Sequence, residues 1–395
     1  MKYIEWRSVV TEKCDVSFFV PIYKPNLKWL DATVRSIVKV IRQSAVSAEL
    51  VLGDDGSPDG CFQVLAGYEK EFNGIVRAFH FPENRGVGAT SCALTEVSRG
   101  RYVASFDQDD IMLPFDLDRV VKYLDEHPET GASYARKYLF NDSGLTGEIH
   151  GDLFSPFLQF FQPKININAM LIRRETLFAH ECFKPLPGSR INHDVWLMFR
   201  LAENSIFYFD REYPRALYRV HNRQTSTSNG NDQHDYLLMG QDVICRHSEL
   251  YRQIILDKNI PSGNDPAEER LIQGLCGLAL FVNQRNNVLV NKIIRQVVAA
   301  HPEDHGARDI MLQLLQFDWD RFAPEYERAM RDFAGNADAE LIFTSLAYSA
   351  ARKLHRNTDA LAEKYQDLRH QTHTPPPIVT ANVPQPVKAV YSWKF

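Results

Sequence analysis

Four apolar runs, each too short to be a helix, recur before residue 110, and each ends in a polar cluster: 16–20, 49–53, 75–79 and 101–106. Between them the pattern switches to helix spacing. Leu27, Leu30, Val34, Ile37, Val38 and Ile41 form one apolar stripe, and further helices are expected over 60–72 and 88–98. Short buried strands alternating with helices define βαβ units. Ligands of such sheets bind beyond the carboxyl ends of the strands. Four clusters would therefore gather on one edge: Pro21-Ile22-Tyr23-Lys24-Pro25, Asp54-Asp55-Gly56-Ser57-Pro58-Asp59, Glu83-Asn84-Arg85-Gly86 and Asp107-Gln108-Asp109-Asp110.

Downstream the texture changes. Residues 130–230 are less periodic, with an apolar piece at Ala169-Met170-Leu171-Ile172 and a helix-like run from Asp194 to Glu203. Beyond them helical patterns dominate. Asp265-Pro266-Ala267-Glu268 is a helix start with a cap residue, a first-turn proline and an acid three residues on, and Leu271, Leu275, Leu278 and Val282 continue it as a stripe. Helical runs are also expected over 307–333 and 338–354, and the tail is rich in proline. The domain boundaries expected are 1–232 for the α/β part, 233–372 for a helical domain and 373–395 for the tail.

Composition excludes several classes of function. With 45 basic and 50 acidic residues the chain carries −5, which offers no field for sequence-independent binding of nucleic acid. The six cysteines are scattered without a C-x-x-C pair, so neither a disulfide framework nor a zinc site is expected, and a reducing, cytoplasmic setting is the simpler one. No run of about 18 apolar residues occurs, so no transmembrane helix is expected and any membrane association would be peripheral.

Two clusters could carry chemistry. Three carboxylates within Asp107-Gln108-Asp109-Asp110 repel one another unless a cation or solvent relieves them. Hard oxygen ligands at a strand end suit magnesium or manganese, which would also bind a diphosphate. Read alone, the cluster is equally a solvated acidic turn ahead of a helix. Asp54-Asp55-Gly56-Ser57 could accept hydrogen bonds from a nucleobase or a ribose, or be an Asp-Gly turn with a serine cap. His301-Pro302-Glu303-Asp304-His305 reads as a solvated turn, and Trp319, Phe322 and Tyr326 as a core-facing helix stripe.

Taken together, V-S-F-F-V-P-I-Y-K-P, V-L-G-D-D-G-S-P-D, E-N-R-G-V-G-A-T and G-R-Y-V-A-S-F-D-Q-D-D-I-M-L-P resemble the start of a family 2 inverting glycosyltransferase, a nucleotide-diphospho-sugar transferase. The likeness continues in N-H-D-V-W-L-M-F-R-L-A-E from Asn192 and Y-R-V-H-N-R-Q-T-S from Tyr218. It implies a GT-A (Rossmann-like) mixed sheet flanked by helices, here followed by an all-α domain. By position, Pro21 and Tyr23 would line the nucleotide pocket. Asp55 would bind the base, most often uracil, with Asp54 supporting the turn, and Arg85 would lie near base or diphosphate. Asp107 and Asp109 would form a D-x-D site for Mn2+ or Mg2+, with Asp107 also facing the donor and His221 completing the metal site. Asp194 would be the catalytic base. The partners implied are a nucleotide-sugar donor and a glycan or glycoconjugate acceptor, with acceptor binding or homo-oligomerisation left to the helical part. Relatives often carry Glu-Asp where this chain has His193-Asp194, and a second acid where it has Trp196. Two other readings stay open: a catalytically silent nucleotide-sugar-binding module, and a sugar nucleotidyltransferase. The latter would carry a basic glycine-rich loop where Pro21–Pro25 stands.

Overall fold

The central strand β1 (Cys14–Ile22) is covered on both sides: Val16 to Val20 are buried, and Ser17 among them donates its hydroxyl to the buried Glu49 at 2.7 Å. The computed structural model describes residues 13–58, 60–151, 165, 167–182, 184, 193–222, 238–240, 242–243, 245–255, 263–282 and 357–371, with isolated positions at 327, 331, 334–335, 340 and 344. After β1 come α1 (Leu27–Gln43), β2 (Ala48–Asp55), α2 (Cys61–Glu71), β3 (Val76–Phe81), α3 (Val87–Val97) and β4 (Gly100–Ser105). These are the elements the periodicity predicts, within one or two residues at most ends. Asn26 caps α1, its Oδ1 accepting from the N–H groups of Lys28 (3.0 Å) and Trp29 (3.4 Å). The expected stripe packs on the sheet, except that Leu27, at the first helical position, is 51% exposed.

The chain continues through β5 (Ile111–Met112), α4 (Leu117–Glu126), β6 (Thr130–Ala135), β7 (Lys137–Asn141), β8 (Gly144–His150), β9 (Leu171–Arg173), α5 (Arg174–Ala179), α6 (His193–Ala202), β10 (Ile206–Asp210) and β11 (Ala216–Arg219). The main sheet has seven strands in the order β10-β6-β9-β4-β1-β2-β3. Its pairings are parallel except at β9, which runs antiparallel to both β4 and β6. The fold is thus the expected mixed α/β sheet flanked by helices. A smaller sheet, β5-β11-β7-β8, holds the remaining strands. The connections from β1 run outward to β2 and β3, whereas β4 lies on β1's other side. A switch point therefore opens between β1 and β4, where the loops Pro21–Pro25 and Asp107–Asp110 emerge.

By packing, the described residues fall into two compact units, one up to residue 240 and one from Asp242 onward. Every described element of the second unit is a helix: α7 (Ser248–Ile255), α8 (Pro266–Val282) and α9 (Asp359–Gln371). Asp265 caps α8 as expected, its Oδ1 accepting from Ala267 and Glu268 N–H at 2.8 and 2.9 Å, and Leu275 and Leu278 are buried. Isolated positions apart, the runs 307–333 and 338–354 lie outside the described residues, as do the tail and the segments 301–305 and 319–326. No described helix is long and apolar enough to cross a membrane, and no disulfide joins the cysteines.

One buried ion network fastens the far side of the switch point. Arg215 is 1% exposed; its guanidinium donates to Ser133 O (3.0 Å), Ser133 Oγ (2.7 Å), Ala169 O (3.3 Å) and Asp210 Oδ2 (3.1 Å). Arg119 donates to the same Asp210 oxygen at 2.8 Å. Strand β6, strand β10 and the turn at Ala169 are thereby tied through one guanidinium. Removing one partner of a buried pair strands the other charge and costs about 3–5 kcal/mol. Asp210→Ala should lower unfolding stability by roughly that amount, measured as a shift in urea midpoint, while a surface control such as Lys122→Ala should leave it unchanged.

Candidate active site

Three hydrogen-bonded stitches hold the strand-end loops side by side. Asp55, 2% exposed, accepts from Arg85 N–H (2.9 Å) on one oxygen and from Gly86 N–H and Asn84 Nδ2 (both 3.0 Å) on the other, fixing the loop after β3. Lys24 N–H donates to Ser57 Oγ (2.9 Å), joining the loops after β1 and β2. Gln108 Oε1 accepts from Tyr23 N–H (3.0 Å) and its Nε2 donates to Tyr23 O (3.1 Å), joining the loops after β1 and β4. Gly56 makes the closeness possible. It sits at φ +70°, and a Cβ there would come within 2.5 Å of the Glu83 backbone.

Within this frame the expected residues take distinct places. Asp54 is fully buried, with Oδ1 accepting from Ser57 N–H (3.0 Å) and Oδ2 2.9 Å from His80 Nδ1, so it shapes the turn and does not face the cleft. Pro21 lies opposite Gly53 of β2, and Tyr23 is 39% exposed beyond it. The Arg85 guanidinium lies over the Phe81 ring, 5.1 Å from its centroid.

The acidic loop divides its side chains between anchoring and the cleft. Asp110, 1% exposed, accepts from Arg219 N–H (2.7 Å) and from Asn168 Nδ2, while its carbonyl accepts from Thr33 Oγ1 (2.7 Å). Asn168 also takes the Asp107 N–H at 2.9 Å. The following residue, Ala169, adopts φ +56°, with its N–H on Ser105 O and its carbonyl held by Arg215. Asp109 Oδ2 lies 2.7 Å from His221 Nε2, and the His221 ring stands 4.9 Å from that of Trp29. Arg219, stacked between Trp29 and Phe140, donates to Asp109 O at 2.9 Å.

Lys137, at the start of β7 and 7% exposed, completes the cluster. Its ammonium lies 4.0 Å from the centre of the Tyr218 ring and feels Asp110, Asp107 and Asp194. Asp194, in the first turn of α6, thus comes within electrostatic reach of the acidic loop, from an element about 85 residues downstream. Burial, then the neighbouring Asp109, push the Asp107 carboxyl up to about 7. Burial followed by Asp107 and Asp109 hold Asp110 well above the usual range as well. Burial lowers Lys137 to about 8 against the pull of those acids.

The residues fit a divalent cation. Asp107, Asp109, Asp110 and Asp194 face the fixed cations Lys137 and Arg219, so with every group ionised four negative charges meet two positive ones. Among the described residues no three His, Cys, Asp or Glu side chains form a complete ligand set. Magnesium and manganese need none, since one or two carboxylates suffice when phosphates supply the other ligands. Asp109 and His221, with Asp107 beside them, would be the protein's share.

Sequence reading passed over Gln108, Lys137 and Asn168. Gln108 was in view as the middle of Asp-x-Asp, whereas Lys137 and Asn168 sit in no pattern that would single them out.

These features define an α/β domain with a cluster of carboxylates at the switch point of its sheet. Residues 17–181 match the model of glycosyl transferase family 2. Among curated relatives, the chain is 26% identical over 186 residues to a putative glycosyltransferase, EpsE, of Bacillus subtilis, covering 47% of this chain and 66% of that protein. It is 32% identical over 111 residues to the succinoglycan biosynthesis protein ExoO of Rhizobium meliloti, covering 28% and 30%. The chain spans as little as 14% of the length of a further relative. Staphylococcus aureus TarS residues 1–349, solved with UDP-GlcNAc, superpose with a TM-score of 0.47 at 13% identity, over 87% of this chain and 92% of that one.

Hydrogen bonds to a charged acceptor contribute about 1.5–3 kcal/mol. Asp55→Ala should therefore speed amide exchange at Arg85 and Gly86 by roughly ten- to a hundredfold, resolved by NMR. Exchange in the centre of β1 should stay near its original rate.

Proposed function

We propose that this chain is a metal-dependent inverting glycosyltransferase. It moves a sugar from a nucleoside-diphosphate sugar, UDP-linked in our reading, to an acceptor hydroxyl in polysaccharide or glycoconjugate synthesis. The observation that carries the reading is the electrostatic reach of Asp194 to the Asp107–Asp109 loop, in a chain whose residues 17–181 match the family 2 model. The similarity to EpsE and ExoO supports the polysaccharide setting.

In this reading the chain's own groups divide the work. The pocket between the loops after β1, β2 and β3 receives the nucleotide. Tyr23 offers an exposed ring and the Asp55 clamp holds the Arg85 loop at its rim. The Asp194 carboxylate accepts the proton of the acceptor hydroxyl as that oxygen attacks the anomeric carbon from the face opposite the diphosphate. The anomeric C–O bond to the diphosphate breaks, the new glycosidic bond forms, and configuration inverts. The Arg219 N–H holds the Asp110 carboxylate and its guanidinium the Asp109 carbonyl, which keeps the acidic loop in place throughout. A divalent cation at Asp109 and His221, beside Asp107, would supply charge stabilisation to the leaving diphosphate, which is why no acid is needed on that side.

A thermal-shift screen of nucleoside diphosphates and nucleotide sugars, with and without Mn2+, tests the binding half. Ligand at about a hundred times its Kd stabilises the folded state by about 2.7 kcal/mol. We expect a shift with UDP or a UDP-sugar that needs Mn2+ and is lost in Asp109→Ala. Donor turnover tests the chemical half. Asp194→Asn should cut kcat by about 10²–10⁴-fold while leaving the Mn2+-dependent shift in place. Binding without turnover in the unsubstituted protein would instead indicate a silent nucleotide-sugar module. Pyrophosphate release from a nucleoside triphosphate would indicate a nucleotidyltransferase.

A further inference from the structure

His80 stands directly opposite Asp54 in the parallel pairing of β3 with β2, on the outermost strand of the main sheet. Its Nδ1 lies 2.9 Å from Asp54 Oδ2, and facing a carboxylate oxygen that nitrogen is the donor. The Phe62 ring of α2 backs the imidazole, with 5.3 Å between ring centroids. Asp54 is fully buried, so an oxygen left without a partner there is costly. Its second oxygen gives the pair its reach. Oδ1 accepts from Ser57 N–H at 3.0 Å, and Ser57 Oγ in turn accepts from Lys24 N–H at 2.9 Å. Lys24 adopts φ +44°, a left-handed backbone that a non-glycine residue keeps only where its surroundings impose it. It follows Tyr23, whose ring is exposed at the rim.

We propose that His80 is a positioning residue for the nucleotide side of the cleft, acting through Asp54. The imidazole holds Oδ2, which keeps the carboxylate turned so that Oδ1 meets Ser57 N–H. Ser57, fixed in that place, holds Lys24 in its strained conformation and Tyr23 at the rim. The ligand so positioned is a nucleoside diphosphate, and this part rests on the proposed reading that the loops after β1 and β2 receive the nucleotide. His80 touches no reacting atom, so it governs how tightly the nucleotide is held and not the rate of the chemical step. A packing role makes the opposite demand. Leucine keeps bulk against Phe62 and loses the donor. Asparagine loses the ring but carries its amide Nδ2 where Nδ1 stands, and so keeps the hydrogen bond to Asp54.

The test uses the full chain and two readouts: UDP affinity with Mn2+ by titration calorimetry, and amide exchange at Ser57 and Lys24 by NMR without nucleotide. In His80→Leu the UDP Kd should rise roughly tenfold, the weight of one hydrogen bond to a charged group. The KM for a UDP-sugar should rise by the same factor with kcat little changed, and exchange at Ser57 and Lys24 should quicken. His80→Asn should stay close to the unsubstituted protein in both readouts. In an Asp54→Ala background His80→Leu should add no further loss, because the group it acts through is gone. His80→Ala takes the place of His80→Leu if the latter does not fold. Unchanged UDP affinity in the folded leucine variant would overturn the proposal, as would a larger loss in His80→Asn than in His80→Leu, or a full second loss on top of Asp54→Ala. An unsubstituted chain that binds no nucleotide would sink the donor reading and the positioning of a donor with it. Unchanged exchange at Ser57 and Lys24 in a chain that does bind UDP would sink the role of His80 alone.

Discussion

Like-charge repulsion at the mouth of the sheet is the constraint around which the rest is arranged. Asp107, Asp109 and Asp110 leave β4 as neighbours and Asp194 arrives from α6, in surroundings of low polarity where each unneutralised charge is costly. The structure answers with separate devices. Asp110 is absorbed into the scaffold by Arg219 N–H and Asn168, Asp109 shares its oxygen with His221, and Lys137 stands where the remaining fields meet. The buried Arg215–Asp210 pair serves the same end at one remove, because it fixes the turn from which Asn168 reaches both the Asp107 N–H and Asp110.

The loops are equally interdependent. Asp55 binds the loop after β3, Ser57 binds the loop after β1, and Gln108 binds that loop to the acidic one. The loops after β1, β2, β3 and β4 are therefore parts of one hydrogen-bonded rim, and a change in one loop alters the footing of the next. This explains why residues that touch nothing reactive, such as Gly56, are confined so tightly.

Much of this was legible in the residues. The alternation of apolar runs and helical stripes announced β1 to β4 and their helices, because a strand buried on both faces needs an unbroken apolar run. Asp107 to Asp110 stood out because adjacent like charges at a strand end demand an explanation. What escaped notice depends on distance along the chain. Asp55 is a clamp because two backbone N–H groups lie against it, and any residue supplies such groups. The reversal at β9 was hidden because a short apolar piece such as Ala169–Ile172 carries no mark of direction. Lys137 sits in no motif, and only the register of β7 beside β11 brings it under Tyr218. For α9 the spacing of its few apolar residues was too sparse to announce a helix.

Gln108 and Asp110 spend their side chains on protein anchors, while in the proposed reading Asp107 and Asp109 supply the carboxylates for the cation. In that reading the segment works by parity: alternate positions belong to the scaffold and to the ligand. Its evolutionary freedom is accordingly uneven. Substitutions can adjust either set, but inserting or deleting a single residue would exchange the two sets at a stroke and turn anchors outward as ligands inward. Length, more than identity, is the property this tetrapeptide cannot vary.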